Sequence, residues 1–281
     1  MIKRLYVNGC SWTAGNEIEC SPEFGQFIKE QGWQRTDASD PLNWDLQDDH
    51  GKLVSTVDKH YNLFNWAGEL KQQIGAEQLI NDATGGGSND RVVRTTVEYV
   101  KHLSPARRKD TLVVIGWTIA DRSEILIDRH WQRFNPAQQF SQTVDRIVLQ
   151  DNNLIEQLDQ YQQQYVSYVF NDRQRVHNYF QSLYLLSNLL DNLGIPYYFF
   201  NALPAWWNAG GDQISFDVLT EFASEINWLE THKNIHSRHD TMFGYVHQHN
   251  LPIAPYGHPL AAAHKSWAQH LHNHLLLRNI V

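Results

Sequence analysis

The chain has little cysteine, no long apolar run and no concentration of basic residues, and each shortage removes a class of function. Only Cys10 and Cys20 occur in 281 residues, too few for a disulfide framework or a four-cysteine zinc site. Apolar runs such as Leu183 to Leu186 are short and soon interrupted, which excludes a membrane-spanning helix. Lys and Arg number 23 against 31 Asp and Glu, a net charge of −8 with no basic stretch, so a nucleic-acid groove has little electrostatic support. Met1 to Asn8 holds no apolar region of signal-peptide length, and a reduced, cytoplasmic protein is the expectation. No repeat, low-complexity tract or Gly/Ser linker divides the chain. One domain over residues 1–281 is therefore expected, with insertions at about 33–58 and 120–150 that shape a pocket. What is present, 42% hydrophobic and 19% charged residues, is the composition of a globular protein.

The pattern along the chain alternates strand and helix. Arg4-Leu-Tyr-Val7 is a short apolar run stopped by Asn8-Gly9, as expected of a buried strand and tight turn. Residues 33–58 are polar and irregular and read as an inserted loop. From Tyr61 to Ile74 the spacing of Leu63, Trp66, Leu70 and Ile74 predicts a helix closed by Gly75. Gln78 to Asn81 reads as a second strand, followed by Gly85-Gly-Gly87 and a helix capped by Ser88. Thr111 to Gly116 is the clearest strand, apolar at successive positions as a parallel strand covered on both faces requires. Residues 151–193 predict one long helix or two consecutive ones, Tyr197 to Phe200 a fourth strand, and Pro259 the opening of a last helix. This order predicts a parallel sheet with helices on both faces.

In such sheets reactive groups gather at the carboxyl ends of the strands. Ser11 follows the first strand, Gly85 to Asn89 the second, and Trp117-Thr118 the third; His258 lies just before the last helix. A serine behind a glycine can present its hydroxyl above the sheet, a histidine can take its proton, and backbone N–H groups of a glycine turn can hold an oxyanion. Gly85 to Gly87 fits neither a P-loop, which needs a following Lys, nor the dinucleotide fingerprint, whose last glycine position holds Asp90. Cys10 and Ser11 point to opposite sides, so one of them packs in the core, and Cys10 suits that role.

Asn8-Gly-Cys-Ser-Trp12, Asn81 to Asn89 and Gly257-His-Pro259 together resemble the blocks of the SGNH (GDSL-type) hydrolase superfamily. The resemblance runs from one end of the chain to the other, although each block is short. It implies a flavodoxin-like three-layer α/β/α sandwich and a serine esterase, with Ser11 as nucleophile, His258 as general base, and the Ser11 and Gly86 N–H groups in the oxyanion hole. The implied partner is a small acyl ester, a carbohydrate ester among the candidates, with no cofactor and no metal.

Three positions depart from the family pattern. Cys10 stands where an aspartate usually precedes the serine. Trp117 and Thr118 stand where an asparagine usually supplies an oxyanion donor, so either the Thr118 hydroxyl substitutes or that donor is absent, with Asn89 an additional polar donor. Pro255 and Tyr256 stand where an aspartate usually orients the histidine, leaving a Ser–His dyad or another carboxylate, with Asp240 a supporting candidate. Two rivals stay open: an acyltransferase using the same serine, and an SGNH-fold binding protein impaired in catalysis. With Pro259 as first helical residue, His258 would be an N-cap, where the helix dipole disfavours imidazolium. Ten of the fifteen histidines lie between His232 and His274. His232/His236 and His247/His249 have ligand spacing but no defined third ligand, so the sequence reads as a solvated histidine-rich face rather than a metal site. His264 is expected to face the core, and Trp206-Trp207 either a cleft wall or the core.

Overall fold

The structure is a computed structural model that describes residues 1–36, 45–127, 129–134, 152–204 and 214–281. In chain order its first elements are β1 (Arg4–Gly9), α1 (Ser11–Ala14), α2 (Pro22–Glu30), β2 (Trp33–Arg35), β3 (Asp45–Asp48), β4 (Leu53–Thr56), α3 (Trp66–Gln73) and β5 (Gln78–Asn81). There follow α4 (Asn89–Lys101), α5 (Pro105–Lys109), β6 (Thr111–Trp117), β7 (Ser123–Ile127), β8 (His130–Phe134), α6 (Asn152–Tyr168) and α7 (Asp172–Leu193). The chain ends with β9 (Tyr197–Asn201), α8 (Phe216–Glu221), α9 (Ala223–Thr231), α10 (Met242–Gln248) and α11 (Ala261–Leu277).

A four-stranded sheet in the order β5-β1-β6-β9 forms the centre, and all its pairings are parallel. β6 and β9 are buried at every position because both of their faces are covered, whereas the edge strand β5 is only partly buried. Leu5 and Val7 of β1, Leu112 and Val114 of β6, and Tyr198 and Phe200 of β9 pack into one core with Trp66, Leu70, Trp267 and Leu271 of α3 and α11. Tyr6, Val113, Ile115, Tyr197 and Phe199 point the other way, into a second core with Val92 and Val100 of α4 and Val176 and Leu183 of α7. The chain leaves β1 for β5 on one side and then crosses to β6 on the other, so the winding reverses at β1. The crevice at such a reversal, beyond the carboxyl ends of the strands, is where ligands bind in open α/β sheets.

The four central strands and the Ser88 cap stand where the pattern put them, with Ser88 Oγ accepting from Arg91 N at 3.2 Å. Residues 151–193 resolve into two helices, separated at Tyr168 and Asp172. Other boundaries differ. The expected loop at 33–58 contains a three-stranded antiparallel sheet, β2-β3-β4, and part of the expected 120–150 insertion is the β7–β8 hairpin. The helix expected from Tyr61 begins only at Trp66, because the Asn65 side chain caps it by accepting from Gly68 N. The last helix begins at Ala261, not Pro259. Pro259 pairs with Ile253 in a bridge, and Leu260 N donates to the Pro252 carbonyl at 3.0 Å. Trp206, Trp207 and residues 135–150 lie outside the described residues. Among the described residues no helix is long and apolar enough to cross a membrane.

Candidate active site

Ser11 opens α1 directly after β1 and is largely buried, at 8% exposure. Its position is set from below. Asn8 is buried, donates from Nδ2 to Thr95 Oγ1 at 2.7 Å and to Thr96 Oγ1 at 3.2 Å, and accepts from Gly9 N at 2.9 Å. Gly9 then passes close beneath β6: a Cβ there would lie 2.6 Å from the Gly116 carbonyl oxygen. Cys10 is fully buried in the same core cluster as Trp12, the packing role expected of it. The Ser11 carbonyl accepts from Gly15 N at 3.0 Å and Asn16 N at 3.1 Å, so the chain turns sharply after one helical turn.

That turn delivers Glu17, the carboxylate absent from the sequence around His258. Glu17 Oε2 lies 2.6 Å from His258 Nδ1 and accepts from His258 N at 3.2 Å, while Oε1 accepts from Tyr256 N at 3.0 Å. One buried side chain therefore holds both the imidazole and the loop that carries it. Glu17 has a left-handed backbone, φ +65°, a state that costs a non-glycine residue about 1–2 kcal/mol. His258 is not an N-cap: Leu260 takes that place in α11, and a carboxylate, rather than the positive end of a helix, faces the ring. Asp240, the supporting candidate, is elsewhere. Its Oδ2 lies 2.7 Å from His236 Nε2 and 2.8 Å from His270 Nε2.

Gly86 lies in the turn after β5, where Gly87 N donates to the Thr84 carbonyl at 3.0 Å and Thr84 N to the Gly9 carbonyl at 3.2 Å. The second bond ties this turn to the end of β1. Gly86 has φ +68° at the third position of the turn, a conformation glycine adopts without steric cost. Asn89 and Thr118 are joined to each other: Asn89 Oδ1 accepts from Thr118 N at 3.0 Å and Nδ2 donates to the Thr118 carbonyl at 3.2 Å. The Thr118 hydroxyl is fully buried and accepts from Arg122 Nη1 at 3.1 Å. These two residues tie the first turn of α4 to the end of β6.

A cleft of about 510 Å³ runs beside the Ser11–Glu17 segment, with Asn16, Asn62, Asn81, Thr84 and Arg133 among its lining residues. Close by, burial pushes the Glu19 carboxyl up from its ordinary value. Burial also raises the Tyr61 hydroxyl, reinforced by the Glu19 charge. In the first core, His264 is driven down to about 3 by burial, with the neighbouring His258 adding to the shift; its Nδ1 accepts from Trp66 N at 3.2 Å.

A family profile described as a family of unknown function, DUF6071, matches residues 43–280. The chain belongs to that family. The DUF6071 match takes in Gly86, Thr118, Asp240 and His258, while Ser11 and Glu17 precede it. A search of curated proteins found no matching sequence. Among solved structures, one of a carbohydrate esterase whose active site displays divergent catalytic and non-catalytic binding functions is similar. It has a TM-score of 0.43 and 12% identity, over 98% of this chain and 68% of that one.

Proposed function

We propose that the chain is a serine acyl-ester hydrolase of SGNH type, with Ser11, His258 and Glu17 as its catalytic group. The observation that carries this reading is the Glu17–His258 contact at 2.6 Å, made by a carboxylate six residues beyond the serine. A carboxylate on Nδ1 fixes the tautomer with hydrogen on that nitrogen and leaves the Nε2 lone pair to accept a proton.

In the reaction, Ser11 Oγ attacks the ester carbonyl carbon and its proton passes to His258 Nε2. Charge develops on the carbonyl oxygen, and the N–H groups of Ser11 and Gly86 receive it. Ser11 is the first residue of α1, a position whose own N–H has no acceptor within the helix. The C–O bond to the alcohol then breaks, the alcohol leaves with the proton from His258, and water releases the acyl group by the same route in reverse. The amides of Asn16, Asn62 and Asn81 along the cleft suit a compact, hydroxyl-rich molecule better than a long acyl chain, which favours a carbohydrate ester as substrate.

The test is release of acetate from p-nitrophenyl acetate and from O-acetylated sugars by the native chain and by Ser11→Ala. The expected result is turnover lost by about a thousandfold or more in the variant. Equal release by both would remove the serine mechanism. Transfer to an added alcohol in place of water would convert the reading to an acyltransferase.

A further inference from the structure

Away from this site the structure gathers four potential ligands from two segments far apart in sequence. His236 follows Ile235, which extends the sheet by a parallel bridge to Phe199, and His236 N donates to the Phe199 carbonyl at 2.8 Å. Asp240 comes four residues later, on the turn in which its N–H donates to the Ser237 carbonyl. His270 and His274 are one turn apart on α11 and so share a face. One donor atom from each of the four residues lies within 4.8 Å of the other three. Asp240 Oδ2 is 2.7 Å from His236 Nε2, 2.8 Å from His270 Nε2 and 4.0 Å from His274 Nε2.

Three imidazoles converging on one carboxylate oxygen are more than that oxygen needs, since a single hydrogen bond or ion pair would satisfy each ring separately. They do match the donor set of a four-coordinate divalent cation. A tetrahedral ion with ligands at about 2.0–2.1 Å sets its donors about 3.4 Å apart, so closure asks for movements of about an ångström. The arrangement also has the outer support that metal-bound histidines show. The His236 side chain is 1% exposed, and its Nδ1 lies 2.5 Å from the Tyr198 hydroxyl, which turns Nε2 toward the centre of the cluster.

We infer that His236, Asp240, His270 and His274 form a closed binding site for one zinc-class divalent cation. Four protein ligands leave no open position, so the ion is structural, pinning α11 to the edge of the sheet. His270 stands nine residues beyond the start of α11, about 14 Å along its axis. The site is therefore distinct from His258 and does not depend on the hydrolase reading. Imidazole and carboxylate donors in a tetrahedral set suit zinc, with cobalt(II) as a spectroscopic substitute.

The test uses the full chain, stripped with a chelator and returned to zinc chloride at neutral pH. Zinc retained after gel filtration is measured by elemental analysis and the melting midpoint by calorimetry. The native chain is expected to retain one zinc per molecule and, at about a hundredfold excess over Kd, to melt about 5 °C higher than the stripped form. A His270→Ala/His274→Ala variant is expected to retain none and to melt at a zinc-independent temperature, while His247→Ala/His249→Ala behaves as native. Should the first variant fail to fold, the cobalt(II) form of the native chain decides, by the intense visible bands of a four-coordinate ion. No retained zinc, equal retention by the His270/His274 variant (an adventitious ion only), or the weak bands of six-coordinate cobalt would overturn the inference.

Discussion

Glu17 reaches its partner across 241 positions of sequence, and it does so from a left-handed backbone. Such strain persists where surrounding contacts hold it, here three contacts to the 256–258 loop. Glu17→Gln keeps an acceptor for Tyr256 N but removes the charge that orients and stabilises the imidazole. Ester turnover is expected to fall by about a hundredfold to ten-thousandfold with the melting midpoint nearly unchanged; steady-state kinetics beside calorimetry checks this, and undiminished turnover would remove Glu17 from the mechanism. Ser11 and His258 drew attention in the sequence because Ser11 follows Gly9-Cys10 where a strand ends and His258 follows Gly257 where a helix approaches. Glu17 was not, because no spacing rule links a residue after the first strand to one before the last helix.

His264 makes a second prediction at this scale. It is fully buried and its pKa is held down to about 3. The unfolded chain takes up a proton near pH 6.5, whereas the folded chain refuses it until about pH 3, so stability is complete above 6.5 and lost as pH falls between those values. The slope is at most about 1.4 kcal/mol per pH unit from this group. In His264→Gln the urea midpoint is expected to depend less steeply on pH between 6.5 and 4. An identical slope in variant and native chain would show that other groups govern acid unfolding.

At the scale of elements, the sheet depends on how closely β1 and β6 approach at their carboxyl ends. Gly9→Ala would set a Cβ 2.6 Å from the Gly116 carbonyl oxygen, so the strands must part just below Ser11. The expected cost is about 1–3 kcal/mol in chemical denaturation, together with a loss of turnover that stabilising co-solvents do not restore. Full activity would mean the strand ends tolerate more movement than the contact allows. β1, β6 and β9 were legible because side chains on both faces are buried, which leaves a continuous apolar run that no loop imitates. The β2-β3-β4 sheet was not: its strands span three or four residues each, with Leu46 their one fully buried hydrophobic residue, too short to display a period of two. Pro259 misled for a different reason. Its fixed φ suits a first helical turn, but here it serves a bridge to Ile253 that the sequence between them does not announce. The metal-ligand cluster had a signal in the paired four-residue spacings His236/Asp240 and His270/His274, hidden among other histidines at similar spacings.

For the whole molecule, the strand order β5-β1-β6-β9 makes β1 the point where the winding reverses. The ends of its neighbours therefore flank Ser11, with Gly86 on one side and Thr118 on the other, and Glu17 brings His258 to the Ser11–Glu17 segment. The proposed hydrolysis requires Ser11 to be an activated nucleophile within that frame. Intact mass after exposure to a fluorophosphonate tests this most directly, since the reagent phosphonylates a serine only where a base takes its proton. One adduct on the native chain, none on Ser11→Ala or His258→Ala and slow labelling of Glu17→Gln are the results predicted. An unlabelled native chain at every pH between about 6 and 9, or an adduct that survives in Ser11→Ala, would contradict it.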